Sequence, residues 1–112
     1  MSDPPFPGMP DLGALMQQAQ RMQAELQRTQ AELQRKQVEA SAGGGMVTAV
    51  VTGSRELVSL RIDPQVIDPK DPQLLQDLII AAVNQGLQRA QALAEEEMRR
   101  TAAGLGLPLG LL

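Results

Sequence analysis

The sequence predicts an α+β domain in the order α-β-β-β-α, with a three-stranded antiparallel meander and two long helices. Three observations carry this expectation. Residues 12–35 repeat apolar side chains at helical spacing. Residues 38–62 switch to alternation with period two, interrupted by Gly43-Gly44-Gly45 and by Gly53-Ser54-Arg55. Residues 72–103 return to helical spacing with a broad apolar stripe.

The first ten residues hold Pro4, Pro5, Pro7 and Pro10 with Gly8, lack a periodic apolar face and are predicted to be a disordered tail. The folded domain is expected over residues 11–103. Asp11 is placed to N-cap the first helix. That helix is rich in glutamine and carries a seam of Leu12, Ala19, Leu26 and Leu33 at seven-residue spacing, interleaved with Leu15 and Met22. Such a seam wants a partner helix. The pattern fades at Arg35. Val38, Ala40 and Ala42 then alternate with Glu39 and Ser41, a weak first strand. Met46 to Thr52 is a second, with Val47, Ala49 and Val51 on one face and Thr48, Val50 and Thr52 on the other. Glu56 to Ile62 is a third, with Val58, Leu60 and Ile62 opposed to Ser59 and Arg61.

Asp63-Pro64, Asp68-Pro69 and Asp71-Pro72 break the chain repeatedly, and the last reads as an N-cap followed by proline at the first helical position. The second helix carries Leu75, Leu78, Ile79, Ala82, Val83, Gly86, Leu87, Ala90, Leu93 and Ala94 on one stripe. It is expected to end near Ala103, with Arg99 and Arg100 near its C-terminal dipole and Gly104 as its cap. Residues 104–112 form a Gly/Leu/Pro-rich tail. It is too short to span a membrane, and is either loose or packed on a partner.

Composition narrows the chemistry. The single aromatic residue is Phe6, so the core is built from Leu, Ile, Val, Ala and Met. There is no His and no Cys, which removes the usual neutral-pH acid/base, the thiol nucleophile and nearly all zinc sites. The longest uncharged run, Ala40 to Ser54, is too short and too polar to cross a bilayer. No membrane contact, cofactor or small-molecule substrate is expected, and the case for an enzyme is poor. The net charge of −3 weighs mildly against nucleic acid.

Three motifs bear on function. Arg21, Arg28 and Arg35 also stand seven apart, on a line beside the seam, with Glu25, Glu32 and Glu39 each four residues further on. Four residues exceed one helical turn by about 40°, so the acidic row lies beside the basic one. Two readings stay open: a solvated face laced with intrahelical pairs, or a row of phosphate contacts. Gly43-Gly44-Gly45 lacks a following Gly-Lys-Ser/Thr and precedes a strand, so it is a hairpin turn rather than a phosphate loop. Glu95-Glu96-Glu97 points in different directions around a helix and reads as a solvated run rather than a metal cluster. Asn84 either fixes a helix pairing register or is simply exposed.

Four segments occur in order: Leu15-Met16-Gln17-Gln18-Ala19-Gln20-Arg21-Met22-Gln23, the glycine turn with Met46-Val47-Thr48, Leu60-Arg61-Ile62-Asp63-Pro64, and Asp77-Leu78-Ile79-Ile80-Ala81-Ala82-Val83-Asn84. Together they closely resemble the YbaB/EbfC family of bacterial nucleoid-associated proteins, over about residues 12–103. The resemblance implies a tweezers-like homodimer that binds DNA through protruding helices, without a cofactor, in the cytoplasm and associated with the nucleoid. It implies a role in nucleoid organisation or gene regulation. Relatives often have Lys where this chain has Gln17, so the helix here is less basic.

The leading expectation is therefore a non-enzymatic homodimer that binds double-stranded DNA with little sequence specificity. Arg21, Arg28, Arg35 and Lys36 are its candidate phosphate contacts. Gln17 and Gln20, with Gln23 and Gln27, are its candidate base-edge contacts. Met22, Leu26 and Leu33 are its candidate dimer contacts. The alternative is a protein-interaction scaffold whose helices bind partner helices without touching DNA.

Overall fold

The computed structural model describes residues 11–106. The proline-rich tail and residues 107–112 lie outside the described residues. The order is helix α1 (Leu12–Arg35), strands β1 (Gln37–Ala42), β2 (Val47–Thr52) and β3 (Leu57–Ile62), a single 3-10 turn (Pro64–Val66), and helix α2 (Pro72–Gly104). The sheet order is β1-β2-β3, antiparallel throughout.

Side-chain caps set the helix starts. The Asp11 carboxylate accepts the Gly13 N–H at 3.0 Å and opens α1. The Asp71 carboxylate accepts the Leu74 N–H at 3.2 Å and opens α2, with Pro72 filling a position whose N–H has no helical partner. Asp63 and Asp68 make the same kind of bond to Gln65 and Lys70, so each Asp-Pro pair is a capped turn. The exit of α2 differs from expectation. Gly104 is still helical, and the left-handed residue is Gly106 at φ 75°, whose N–H bonds the Ala103 carbonyl. A left-handed residue costs glycine nothing sterically, which is why the turn waits for Gly106.

The core lies between one face of the sheet and the first two-thirds of α2. Val47, Ala49, Val66 and Ala82 form its buried centre, with Leu60, Ile62, Leu75, Leu78, Ile79 and Val83 packed around it. Ala82, Gly86 and Ala90 repeat every four residues, and all three are buried. This line of small residues lets the helix axis sit close to the strands. A Cβ added at Gly86 would come within 2.7 Å of Val51 Cγ2.

Two details of the strands depart from simple alternation. All six residues of β2 are buried, including Thr48, Val50 and Thr52 on the face away from the core, because β1 and β3 flank them on both sides. The β2–β3 register shifts between Val50 and Val51, which pair with Ser59 and Leu57. Val58 is the extra residue of this bulge and is 50% exposed, so it does not share the inward face of Leu60 and Ile62.

Candidate nucleic-acid interface

Helix α1 leaves the sheet as an arm, and the described molecule measures 79 × 22 × 16 Å. Its root is locked. Leu33 is 6% exposed, and it packs so tightly on Gly53 that a Cβ there would stand 2.8 Å from Leu33 Cδ2. The Gly53 N–H donates to the Lys36 carbonyl at 2.9 Å. Further along, α1 packs on the C-terminal part of α2. The hydroxyls of Thr29 and Thr101 lie 2.5 Å apart; one donates to the other, and the accepting hydroxyl gives its own proton to the carbonyl one turn back in its helix, Glu25 for Thr29 or Glu97 for Thr101.

The seam of α1 therefore finds a partner helix within the same chain. Burial falls steadily towards the tip. Thr29 and Leu33 are buried, Met22 and Leu26 are half-buried, and Leu15 and Leu12 are 43% and 70% exposed. Of the three residues expected to face a second subunit, Leu33 is occupied inside the chain, because α1 folds back against Gly53 and β2.

The arginine row divides as well. Arg28 lies 2.6 Å from Glu25 and 3.9 Å from Glu32, the intrahelical pairing that the spacing suggests. Arg21 and Arg35 make no ion pair among the described residues. The third member of the acidic row is lost because the helix stops at Arg35. Lys36 is extended, and Glu39 sits on β1, where it meets Arg61 at 3.4 Å. Gln17, Gln20, Gln23 and Gln27 are all exposed along the arm.

Lys36 has a partner that the sequence did not disclose. Its ammonium lies 2.5 Å from Glu97 on α2. The glutamate run is thus more than a solvated face: Glu96 pairs with Arg99 and Arg100, while Glu97, its side chain 12% exposed, ties α2 to α1. The hydrogen bond from Lys36 holds the Glu97 carboxyl below its ordinary range. Burial opposes this, and the charges of Lys36 and Arg100 reinforce it. Lys36 remains 44% exposed, but its charge is largely answered within the molecule.

Between the arm and α2 runs a polar cleft of about 360 Å³, lined among others by Arg21, Arg28 and Arg100 and by Glu25, Glu32 and Glu97. Arg100 brings to the cleft a cation from α2, outside the arginine row of α1. Arg99 and Arg100 follow the glutamate run at helical pairing distance, and that was the available signal. With three cations facing three carboxylates, the cleft has no net field to draw an anion inward. Arg21, at the rim of this cleft, and Arg35, outside it, are exposed and make no ion pair among the described residues. Among the described residues no group of three metal-ligating side chains occurs, and no described helix is long and apolar enough to cross a membrane.

Fold and surface thus define a small α+β protein whose sheet carries a projecting helical arm with exposed basic and glutamine side chains. The chain belongs to the YbaB/EbfC DNA-binding family, whose pattern it matches over residues 9–105. It is 53% identical over 103 residues to a nucleoid-associated protein of Syntrophobacter fumaroxidans, covering 92% of this chain and 87% of that one. It is 44% identical over 106 residues to a nucleoid-associated protein of Alkaliphilus metalliredigens, covering 92% and 93%. The crystal structure of the uncharacterized protein HP0035 from Helicobacter pylori is similar, with a TM-score of 0.66 and 26% identity, covering 85% of this chain and 95% of that one. Membership favours DNA binding over the scaffold reading.

Proposed function

We propose that this protein is a non-enzymatic nucleoid-associated protein that binds double-stranded DNA with little sequence specificity, as a homodimer in the cytoplasm. Its role is in nucleoid organisation or gene regulation. Membership in a DNA-binding family carries the reading. Arg21 and Arg35, exposed on the arm and unpaired among the described residues, support it, because phosphate contact with counterion release supplies affinity without reading sequence. Arg28 and Lys36 contribute less, since each already has a carboxylate partner. Gln17 and Gln20 are the base-edge contacts, and their small number keeps discrimination modest.

Pairing of two copies brings two arms to one duplex. A local positive field then outweighs the acidic total at distances near the Debye length of about 10 Å. Met22 and Leu26, half-buried against α2, keep an edge for the second copy. Leu33 supports that edge from within.

The test is a gel shift on mixed-sequence duplexes across a salt series. Arg21→Ala and Arg35→Ala are each expected to weaken binding on every duplex alike and to lower the salt slope by roughly one. A folded double variant with unchanged affinity and slope would place the contacts elsewhere. A site that survives about a thousandfold excess of unrelated duplex, on the order of 4 kcal/mol of discrimination, would reveal a base-reading surface.

A further inference from the structure

Left-handed backbone favours glycine, because a Cβ at positive φ crowds the carbonyl that follows. The hairpin between β1 and β2 obeys this: Gly43, Gly44 and Gly45 stand at φ 65°, 68° and 93°. The hairpin between β2 and β3 does not. Its left-handed residue is Arg55 at φ 65°, the one non-glycine at positive φ among the described residues. Its glycine is Gly53, where a Cβ would strike Leu33. Backbone and hydroxyl groups close the turn. The Thr52 N–H donates to the Glu56 carbonyl at 2.8 Å, the Arg55 N–H to the Thr52 carbonyl at 2.9 Å, and the Thr52 hydroxyl accepts the Glu56 N–H at 3.2 Å. The Arg55 side chain is exposed and makes no hydrogen bond or ion pair among the described residues. Backbone strain is thus kept for a side chain that does nothing for the fold, the mark of a residue held for contact with something else.

The place of this arginine names the contact. The Gly53 N–H donates to the Lys36 carbonyl at 2.9 Å, so the turn rests on the exit of α1. Arg35 precedes Lys36, and Arg55 lies just beyond Gly53, so both arginines stem from backbone on either side of this bond. Glu56, next in the chain, pairs with neither of them among the described residues. We propose that Arg55 is a further phosphate contact, which carries the DNA-binding surface from the arm around its root onto the sheet. A hairpin tip closed by these bonds holds the base of the guanidinium still, so less freedom is lost on contact.

The inference rests on the DNA reading above and adds to it a contact outside the arginine row of α1. Arg21 and Arg35 stand about 21 Å apart along the helix axis at 1.5 Å per residue. With Arg55 the line of contact runs on from the arm to the sheet, so the duplex lies down to the root of the arm rather than across its tip.

Glycine at this position relieves the left-handed strain while deleting the charge, so Arg55→Gly separates binding from folding. The full-length variant is compared with wild type, Arg55→Lys and Lys70→Gln by thermal unfolding and by gel shift on a mixed-sequence duplex across a salt series. Lys70 is exposed in the loop between β3 and α2, beyond the other end of that strand, so its loss changes the net charge equally at a distant place. Arg55→Gly is expected to melt at the wild-type temperature or above, to bind about five- to tenfold more weakly at about 0.1 M salt, and to lose roughly one from the salt slope. Arg55→Lys keeps the charge and should keep the slope; Lys70→Gln should keep both affinity and slope. Wild-type binding by Arg55→Gly would overturn the proposal and leave the DNA reading standing. Equal losses in Arg55→Gly and Lys70→Gln would also overturn it, since net charge alone would account for them. A marked fall in the melting temperature of Arg55→Gly would show that the arginine serves the fold, and would sink the idea as well. A wild-type protein that binds no duplex at any salt would remove the DNA reading together with this contact.

Discussion

Helix α1 is one continuous element with two physical characters. From Met22 to Arg35 it is anchored: Leu33 is buried against Gly53, Thr29 is buried against Thr101, and Lys36 at the exit is tied to Glu97. From Leu12 to Arg21 every residue is exposed. The seven-residue repeat runs unchanged through both halves, so periodicity alone does not separate them. What separates them is where the described part of α2 ends. A repeat states that a helix has an apolar side; it does not state which chain covers it or how far.

The largest test of this division is truncation of one seam residue in each half. Leu33→Ala is expected to cost about 2–5 kcal/mol, because it removes buried methyl groups and leaves a cavity against Gly53. Leu12→Ala, at 70% exposure, should stay within about 0.5 kcal/mol. Urea unfolding followed by circular dichroism measures both, and equal losses would mean the two halves are anchored alike.

Next in size is Gly53→Ala. Its Cβ would stand 2.8 Å from both Leu33 Cδ2 and the Leu33 carbonyl oxygen. The backbone cannot step aside without moving the root of the arm, so a loss of about 1–3 kcal/mol follows. An unchanged denaturation midpoint would show that the root has slack.

Thr29→Val and Thr101→Val probe the middle of the anchored half. Each is nearly isosteric and deletes one hydroxyl of the 2.5 Å contact, at about 1 kcal/mol. The double variant should lose less than the two singles together, since each single leaves one hydroxyl without its partner and the double leaves none. Strict additivity would mean that the contact carries no coupling between the helices.

The smallest effect is that of pH. The Glu97 carboxyl is held below its ordinary value of 4.5 in the folded protein, chiefly by its hydrogen bond from Lys36. A depressed carboxyl contributes stability that is full above its unfolded pKa and is lost as pH falls through the folded one. Glu97→Gln should therefore flatten part of the decline in stability below about pH 4.5 and change little of the slope near neutrality. A variant that follows the wild-type acid curve would show that the pair adds no stability.

Much of the fold was legible because it rests on local chemistry. Asp11 and Asp71 cap the helices they precede, the glycine triplet turns between β1 and β2, and the α1 pattern fades at the residue where the helix stops. The misses are non-local. Val58 alternates correctly in sequence, and only its pairing with β2 shows the bulge that turns it outward. Glu97 looks like its neighbours in the acidic run until α2 is laid beside Lys36. Leu33 and Leu26 carry the same letter at the same heptad position, yet one meets Gly53 and the other is only half covered. The candidate site divides in the same way. Spacing located the arginine row, but the pairing of Arg28 and the loss of the Glu39 partner depend on rotamers and on the helix exit.

The slender outline of the molecule has a consequence for how it moves through solvent. Its Cα radius of gyration is 22.2 Å, against about 13 Å for a compact chain of this length. Friction follows shape rather than mass, so a single copy will drift through a gel-filtration column like a considerably heavier sphere. An elution volume calibrated with round standards would then suggest pairing even where none exists. The copy number has to be read from sedimentation equilibrium or light scattering, whose signal depends on mass. Rotational diffusion will be uneven too, slow for end-over-end tumbling and fast about the long axis. Amide relaxation rates along the arm should therefore vary with the direction of each N–H vector even where the helix is rigid.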